Sequence, residues 1–345
     1  MEIPDLIPFV PQINPHVEPA RRHLDAWVAQ FGLIRKEAAR RRFARTEFAW
    51  FAGATYPTAD ESDLQLVSDC FAWLFLLDDQ LDDGRAGRDL GQVDGMKMSL
   101  AAILMGPHRA AAQNPGVGPA PAPLVAALAD LWERLDGRTT AAWRKRFFWH
   151  VVASATAARW EAENRINASV PDELAYIEAR RHTGAIYVCM DLIEVVERLD
   201  ISAQVHESPL FQDALNSACN VVCWTNDLYS VEKEEALRER HNLVSVVEHH
   251  RRLSREQACE HVVQAIASEV QRFIAIEPQL LRAFEAHRDG LVKYLNGMRS
   301  WMRGNCDWSK STTRYRELDT PPEPLEGGYL EPDIFPSPPA DKLPG

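Results

Sequence analysis

The chain has 345 residues, 46% hydrophobic and 26% charged, enough for one large globular domain or two ordinary ones. Its formal net charge of -12 argues against nucleic acid, which would call for a basic face. The longest apolar stretch, Cys70 to Leu77, is too short to span a bilayer, so no membrane span is expected. The start, Met1-Glu2-Ile3-Pro4-Asp5, shows no secretory signal. Six cysteines form no CxxC pair and mostly sit among apolar neighbours. Reduced thiols in a cytoplasmic protein are expected rather than disulfides or zinc.

Helical patterning dominates. Leu24, Trp27 and Phe31 mark a helix over 20–31, and residues 38–51 read as one helix, basic on one side and aromatic on the other. Tyr56-Pro57 then breaks the chain, and a long helix with an acidic first turn covers 58–83. A helix over 98–105 precedes a Gly-, Pro-, Ala- and Asn-rich loop over 106–123. Helices follow over 124–135, 139–166, 171–181, 183–199, 209–240, 255–276 and 279–304. Sustained two-residue alternation and Asn-Gly turns are lacking, so strands are not expected. From residue 317 the chain holds Pro pairs, Gly327-Gly328 and acids, and reads as a Pro-rich tail, disordered or draped on the surface. No interdomain linker interrupts the rest. The reading is all-α, with a single domain over 1–316 and a tail over 317–345.

Four carboxylates crowd the end of the helix over 58–83, in Asp78-Asp79-Gln80-Leu81-Asp82-Asp83. Like charges three and four apart repel by a few tenths of a kcal/mol per pair, and acids at a helix C-terminus oppose its dipole. Successive residues turn by about 100°, so Asp78 and Asp82 share a line above Leu74, Phe75 and Phe71. The helix thus carries an apolar wall topped by carboxylates, suited to a hydrocarbon with a charged end. A solvated helix end is the plainer alternative. Carboxylate oxygens suit Mg²⁺, Mn²⁺ or Ca²⁺ better than zinc. An EF-hand is excluded, because Asp83 and Asp89 stand where that loop needs Gly and Glu.

A second segment, Asn226-Asp227-Leu228-Tyr229-Ser230-Val231-Glu232-Lys233-Glu234, puts an amide, a hydroxyl and a carboxylate at i, i+4 and i+8. They form a narrow oxygen-bearing stripe with Lys233 on the same face and Val222, Cys223 and Cys219 behind. Metal ligands beside an ammonium suit an anion that is itself metal-bound, diphosphate above all. An ordinary polar helix face is the alternative.

Together these segments resemble the class I terpene synthase family, of the single-domain bacterial type. Asp78-Asp79-Gln80-Leu81-Asp82 matches its DDxxD-type motif, and Asn226 through Glu234 matches its NDxxSxxKE motif in full. Arg180, 46 residues before Asn226, matches the diphosphate-sensing arginine, and Arg314-Tyr315 after Trp308-Ser309 matches the RY pair. The resemblance runs from roughly Phe9 to Tyr315.

The resemblance implies an α-helical barrel around one deep cavity, with the two motifs facing each other at its mouth. It implies three Mg²⁺ ions, with Mn²⁺ as a substitute. Asp78, helped by Asp82 or Asp83, would hold two; Asn226, Ser230 and Glu234 would hold the third. Arg180, Lys233, Arg314 and Tyr315 would grip the diphosphate. Gly184 would break a helix so that a backbone carbonyl faces the substrate cation, with Thr183 as the linker to Arg180. Phe75 and Trp308 lead the aromatic candidates, followed by Phe71, Phe48, Phe51 and Tyr187. The implied catalytic group is Asp78, Arg180, Gly184, Asn226, Glu234 and Arg314.

The implied activity is metal-dependent ionisation of an allylic prenyl diphosphate, farnesyl before geranyl or geranylgeranyl, then cyclisation to a sesquiterpene hydrocarbon or alcohol. The partner would be that small isoprenoid diphosphate, with a homodimer among the assemblies left open. A chain-elongating prenyl diphosphate synthase would typically carry two aspartate-rich motifs. A protonation-initiated cyclase needs DxDD, and Gln80 stands where its first Asp would be. A non-catalytic helical binding protein would release no diphosphate.

Overall fold

The computed structural model of the protein describes residues 3–82, 84, 86–106, 122–237, 239–315, 330, 331 and 334. Every regular element among them is helical. The first half holds α1 (Ile3–Leu6), α2 (Val17–Gln30), α3 (Glu37–Thr46), α4 (Phe48–Thr55), α5 (Glu61–Asp82), α6 (Leu90–Met105), α7 (Pro123–Asp136) and α8 (Ala141–Ile166). The second holds α9 (Glu173–Thr183), α10 (Ile186–Glu197), α11 (Ala203–His206), α12 (Pro209–Ala236), α13 (Leu243–Arg251), α14 (Arg255–Ala283) and α15 (Arg288–Ser311). Single 3₁₀ turns stand at Ala86–Arg88 and Glu285–His287.

Local chemistry sets many of the starts. The Asp89, Thr140, Asp172, Ser208 and Ser254 side chains each accept a backbone N–H in the first turn of the following helix. Each such cap contributes about 1 kcal/mol. Ser254 and Gln257 form a reciprocal capping box at α14, and Pro209 occupies the first turn of α12, where its missing N–H costs nothing.

The helices close on themselves. Starting from α12, packing runs to α15, α4, α5, α7, α6, α8 and α9, and from α9 back to α12. This circuit is the helical barrel that the motifs implied. Its lining is aromatic on one side. Phe51 stacks on Trp308 with centroids 4.3 Å apart and planes 9° off parallel, and Phe71, Phe75 and Trp301 crowd around them. Such ring pairs add about 0.5–1.5 kcal/mol each beyond area burial.

Several boundaries differ from the sequence reading; among them, α12 ends at Ala236 rather than at 240 and α15 runs on to Ser311 rather than stopping at 304. The expected helix over 38–51 is two, α3 and α4, because Glu47 between them is left-handed at φ 60°. The helix expected over 98–105 begins eight residues earlier, at Leu90, where Asp89 caps it. Pro278 does not stop α14; the turn comes at Phe284–His287 instead. Helix α13, capped by Asn242, was missed because it is short and its polar half is rich in His and Arg.

Of the loop expected over 106–123, residues 107–121 lie outside the described residues, as do 317–329, 332, 333 and 335–345 of the expected tail. Leu330, Glu331 and Ile334 are described, and the latter two are buried. No helix among the described residues is long and apolar enough to cross a membrane. All six cysteines are free thiols; five are buried and Cys259 is half-buried.

Candidate active site

A deep cavity of about 1600 Å³, counting its open mouth, occupies the barrel. Helix α5 turns Phe71, Leu74, Phe75, Asp78, Leu81 and Asp82 into it, an i, i+3, i+4 row that puts rings below and carboxylates above. Helix α12 presents Val222, Cys223, Asn226, Ser230, Lys233 and Glu234 by the same spacing. Arg180, Thr183 and Gly184 enter from the end of α9, Trp301, Asn305 and Trp308 from α15, and Arg314 and Tyr315 from the segment after it. The structure therefore gathers around one space every described residue expected to hold metal or grip the diphosphate, with Phe51, Phe71, Phe75 and Trp308 below them. Asp83 lies outside the described residues.

Three neighbours from the sequence reading are elsewhere. Asp79 faces the opposite side of α5, against Arg42 and Arg314. Phe48 packs behind the wall, 4.9 Å from the Phe75 ring, because the break at Glu47 rotates α4 relative to α3. Tyr187 is turned away, donating its hydroxyl to Asn216 Oδ1 at 2.5 Å and stacking on His150.

The carboxylates of α5 are held by arginines. Arg314 Nη2 stands 3.2 Å from Asp78 Oδ2 and 2.9 Å from Asp79 Oδ1, with its guanidinium 4.8 Å above the Phe75 ring. Arg165 Nη2 donates to Asp82 Oδ1 at 3.0 Å, its Nη1 to Gly87 O at 2.9 Å and its Nε to Glu239 Oε2 at 2.6 Å. Burial pushes the Asp82 carboxyl well above the usual range, with Asp78 adding to the push and Arg165 opposing it. Asp78 is pushed up by the same confinement against the pull of Arg314. Nearly half of its side-chain surface, 46%, still faces the mouth. A cation there would reverse both shifts.

On α12, Asn226 Oδ1 accepts from Arg180 Nη2 at 2.8 Å, and its Nδ2 donates to the Tyr315 hydroxyl at 2.5 Å. Arg180 Nε reaches Asp227 Oδ1 at 2.9 Å, and Asp227 Oδ2 accepts from Tyr176 at 2.7 Å and from Leu243 N at 3.1 Å. Asp227 is fully buried and anchors this set. Burial pushes the Glu234 carboxyl up to about 7, with Asp227 adding and Arg180 opposing. Ser230 Oγ is buried without a hydrogen-bond partner of good geometry, although it lies close enough to Glu234 to favour the ionised form.

A buried hydroxyl without a well-placed partner is open to a ligand. Among the described residues no three His, Cys, Asp or Glu side chains group to hold an ion alone. The donors are instead mixed hard oxygens, from the Asn226 amide, the Ser230 hydroxyl and the carboxylates of Glu234, Asp78 and Asp82. That set fits a cation whose remaining positions are filled by phosphate oxygens and water.

The break after α9 follows the expectation in place but not in detail. Gly184 itself has ordinary helical angles, whereas Ala185 takes φ 52°. A methyl on Gly184 would lie 3.1 Å from Arg180 Nη1, 3.2 Å from Arg180 O and 3.3 Å from Cys223 Sγ. The space at Gly184 is tight against Arg180 and Cys223, and no left-handed turn calls for glycine there.

Sequence reasoning missed Arg165, Glu161, Glu239, His241, Ser154 and Asn305, which also line the cavity. Glu239 sits in a run of mixed charges that reads as solvated, and nothing local marks it as Arg165's partner. Tyr176 was findable, since it lies one helical turn before Arg180 on a single face of α9.

Residues 69–272 match the family model described as terpene synthase family 2, C-terminal metal binding. The chain is 35% identical over 308 residues to a (+)-T-muurolol synthase, (2E,6E)-farnesyl diphosphate cyclizing, of Roseiflexus castenholzii, covering 89% of this chain and 92% of that one. It is 31% identical to 10-epi-cubebol synthase of Sorangium cellulosum, covering 91% and 98%. Among solved structures, wild-type cucumene synthase superposes with a TM-score of 0.76 at 27% identity, covering 89% of this chain and 99% of that one. A linalool/nerolidol synthase from Streptomyces clavuligerus gives 0.76 at 28% identity, covering 88% and 99%.

Proposed function

The chain belongs to the class I terpene synthases of the bacterial type, and on that premise we propose that it ionises farnesyl diphosphate and cyclises the cation to a sesquiterpene hydrocarbon or alcohol. One observation carries this reading. The oxygen donors of α5 and α12 line the same cavity, above a wall of Phe71, Phe75, Trp301 and Trp308. The farnesyl chain is preferred over geranyl or geranylgeranyl because the muurolol synthase relative is named for cyclising that diphosphate. Residues 1–316 are taken as the catalytic unit.

Magnesium would be held by Asp78 with Asp82 or Asp83 on one side, and by Asn226, Ser230 and Glu234 on the other. Three such ions, or manganese in their place, supply neutralisation of charge on the departing diphosphate. Arg180, Lys233, Arg314 and the Tyr315 hydroxyl bind the diphosphate oxygens. Arg180 and Arg314 now rest on Asn226, Asp227, Asp78 and Asp79. Engaging an anion means exchanging those partners, which draws the segment carrying Arg314 and Tyr315 over the mouth. The apolar wall keeps water from the allylic cation, and each ring face turned toward it contributes about 0.5–2 kcal/mol. Thr183 and Gly184 position Arg180 relative to the substrate.

Incubation with geranyl, farnesyl or geranylgeranyl diphosphate and Mg²⁺, followed by gas chromatography of the organic extract, tests the reading. Farnesyl diphosphate should give a cyclic sesquiterpene. Absence of diphosphate release from all three would overturn it, as would formation of longer prenyl diphosphates when isopentenyl diphosphate is added.

A further inference from the structure

Helix α3 buries only Ala39 and Thr46 of its ten residues. Phe43 adds a half-buried ring 5.2 Å from Phe48, so apolar burial gives the helix only a modest hold. Its N-cap, Lys36, supplies no side-chain cap. The cap comes instead from a residue 295 positions away. The buried Glu331 accepts from the backbone amides of Arg35 at 2.7 Å and Lys36 at 2.5 Å. Lys36 Nζ donates to Leu330 O at 2.7 Å, and Arg35 Nε stands 3.6 Å from the other Glu331 oxygen. A carboxylate there satisfies orphan amides and meets the positive end of the helix dipole.

The other end of α3 is tied as well. Trp308 Nε1 donates to Thr46 O at 2.8 Å, and Thr313 Oγ1 to Arg45 O at 3.4 Å. Between these ties, Arg42 Nη2 lies 3.4 Å from Asp79 Oδ1, the atom that also receives Arg314 at 2.9 Å. Glu331, Ile334, Arg42, Asp79 and Arg314 meet around one small surface pocket.

We propose that Glu331 and Arg42 are positioning residues for diphosphate capture. Glu331 fixes α3, α3 places Arg42 on Asp79, and Asp79 so held keeps Arg314 aimed at the mouth. The inference rests on the terpene synthase reading, since it gives Arg314 its ligand. It assigns Asp79 to the arginine relay rather than to metal, and it makes a segment beyond the catalytic unit part of the working site.

Titration calorimetry of the full chain with inorganic diphosphate and Mg²⁺ tests it. Arg42→Gln and Glu331→Gln should each weaken diphosphate binding about tenfold, the scale of one charge-assisted hydrogen bond, with far-UV helicity unchanged. Arg42→Lys should recover part of the loss and shows the effect without removing the charge. The double variant should bind within about twofold of either single one, because the residues act in series. Single variants binding within twofold of wild type would overturn the proposal, as would losses that multiply to about a hundredfold. A wild-type chain that binds no diphosphate would remove the proposed function itself, and this relay with it.

Discussion

Arg180 donates to Asn226 Oδ1 at 2.8 Å, so the residue expected to grip diphosphate is seated on one expected to hold metal. A guanidinium and a dication repel at that range, and the amide oxygen serves one better than both. Metal alone should therefore bind weakly, and diphosphate should strengthen it by drawing Arg180 away. In Arg180→Gln, Mn²⁺ by itself should bind at least as tightly as in wild type. Mn²⁺ with diphosphate should bind at least about tenfold more weakly. Electron paramagnetic resonance titration reads both. Equal weakening of the two would show that Arg180 supports the metal rather than competing with it.

Gly184→Ala adds a methyl 3.1 Å from Arg180 Nη1. Better helix propensity offsets part of the crowding, so the melting temperature should drop by no more than about 1–2 kcal/mol implies. Turnover should fall more than substrate affinity, because Arg180 is displaced relative to the bound substrate. Steady-state kinetics separates the two. A kcat equal to wild type would remove Gly184 from the machinery.

Trp308→Phe keeps an aromatic face but loses the indole N–H that donates to Thr46 O. That buried carbonyl would be stripped of a partner, at a cost of about 1–3 kcal/mol by chemical denaturation. The stack on Phe51 at 4.3 Å would also shift. The ratio of terpene products should change more than the total rate. An unchanged product profile would place Trp308 in the core rather than at the reacting chain.

The two motif segments were legible because each is a single helix whose spacing decides which side chains share a face. Asp78 with Asp82, and Asn226 with Ser230 and Glu234, need only a constant turn per residue. Asp79 shows where that logic stops. Its neighbours in sequence say it is one more acid in a metal cluster, whereas Arg42 and Arg314, 37 and 235 residues away, turn it into an ion-pair hub. Glu331 was illegible for a related reason. It sits among prolines and glycines that suggest no structure, and only the third dimension brings it to the start of α3. The error at Pro278 has a different origin, since local propensity yields when a long helix is packed along its whole length.

A separate buried cluster predicts a pH dependence. Arg146 Nε lies 2.9 Å from Asp191 Oδ1 and the same guanidinium also serves Glu194, while His150 Nδ1 lies 2.6 Å from Asp191 Oδ2. Burial pushes the Glu194 carboxyl up to about 7 from an ordinary 4.5, with Arg146 opposing. The folded chain thus keeps a proton that the unfolded chain releases. This group's contribution to stability falls as pH rises from about 4.5, and the loss is complete above about 7. Glu194→Gln, which mimics the protonated form, should gain on wild type by a few kcal/mol between pH 5 and 8. Parallel denaturation curves at each pH would check it. A constant difference between the two proteins would contradict the shift.

Anomalous diffraction at the manganese edge, on crystals grown with Mn²⁺ and inorganic diphosphate, reads the metal positions themselves. Peaks should lie within the barrel mouth, some against Asp78 and one against Asn226, Ser230 and Glu234, joined by diphosphate density. Peaks confined to one helix, or lying outside the cavity with the mouth empty, would contradict this placement.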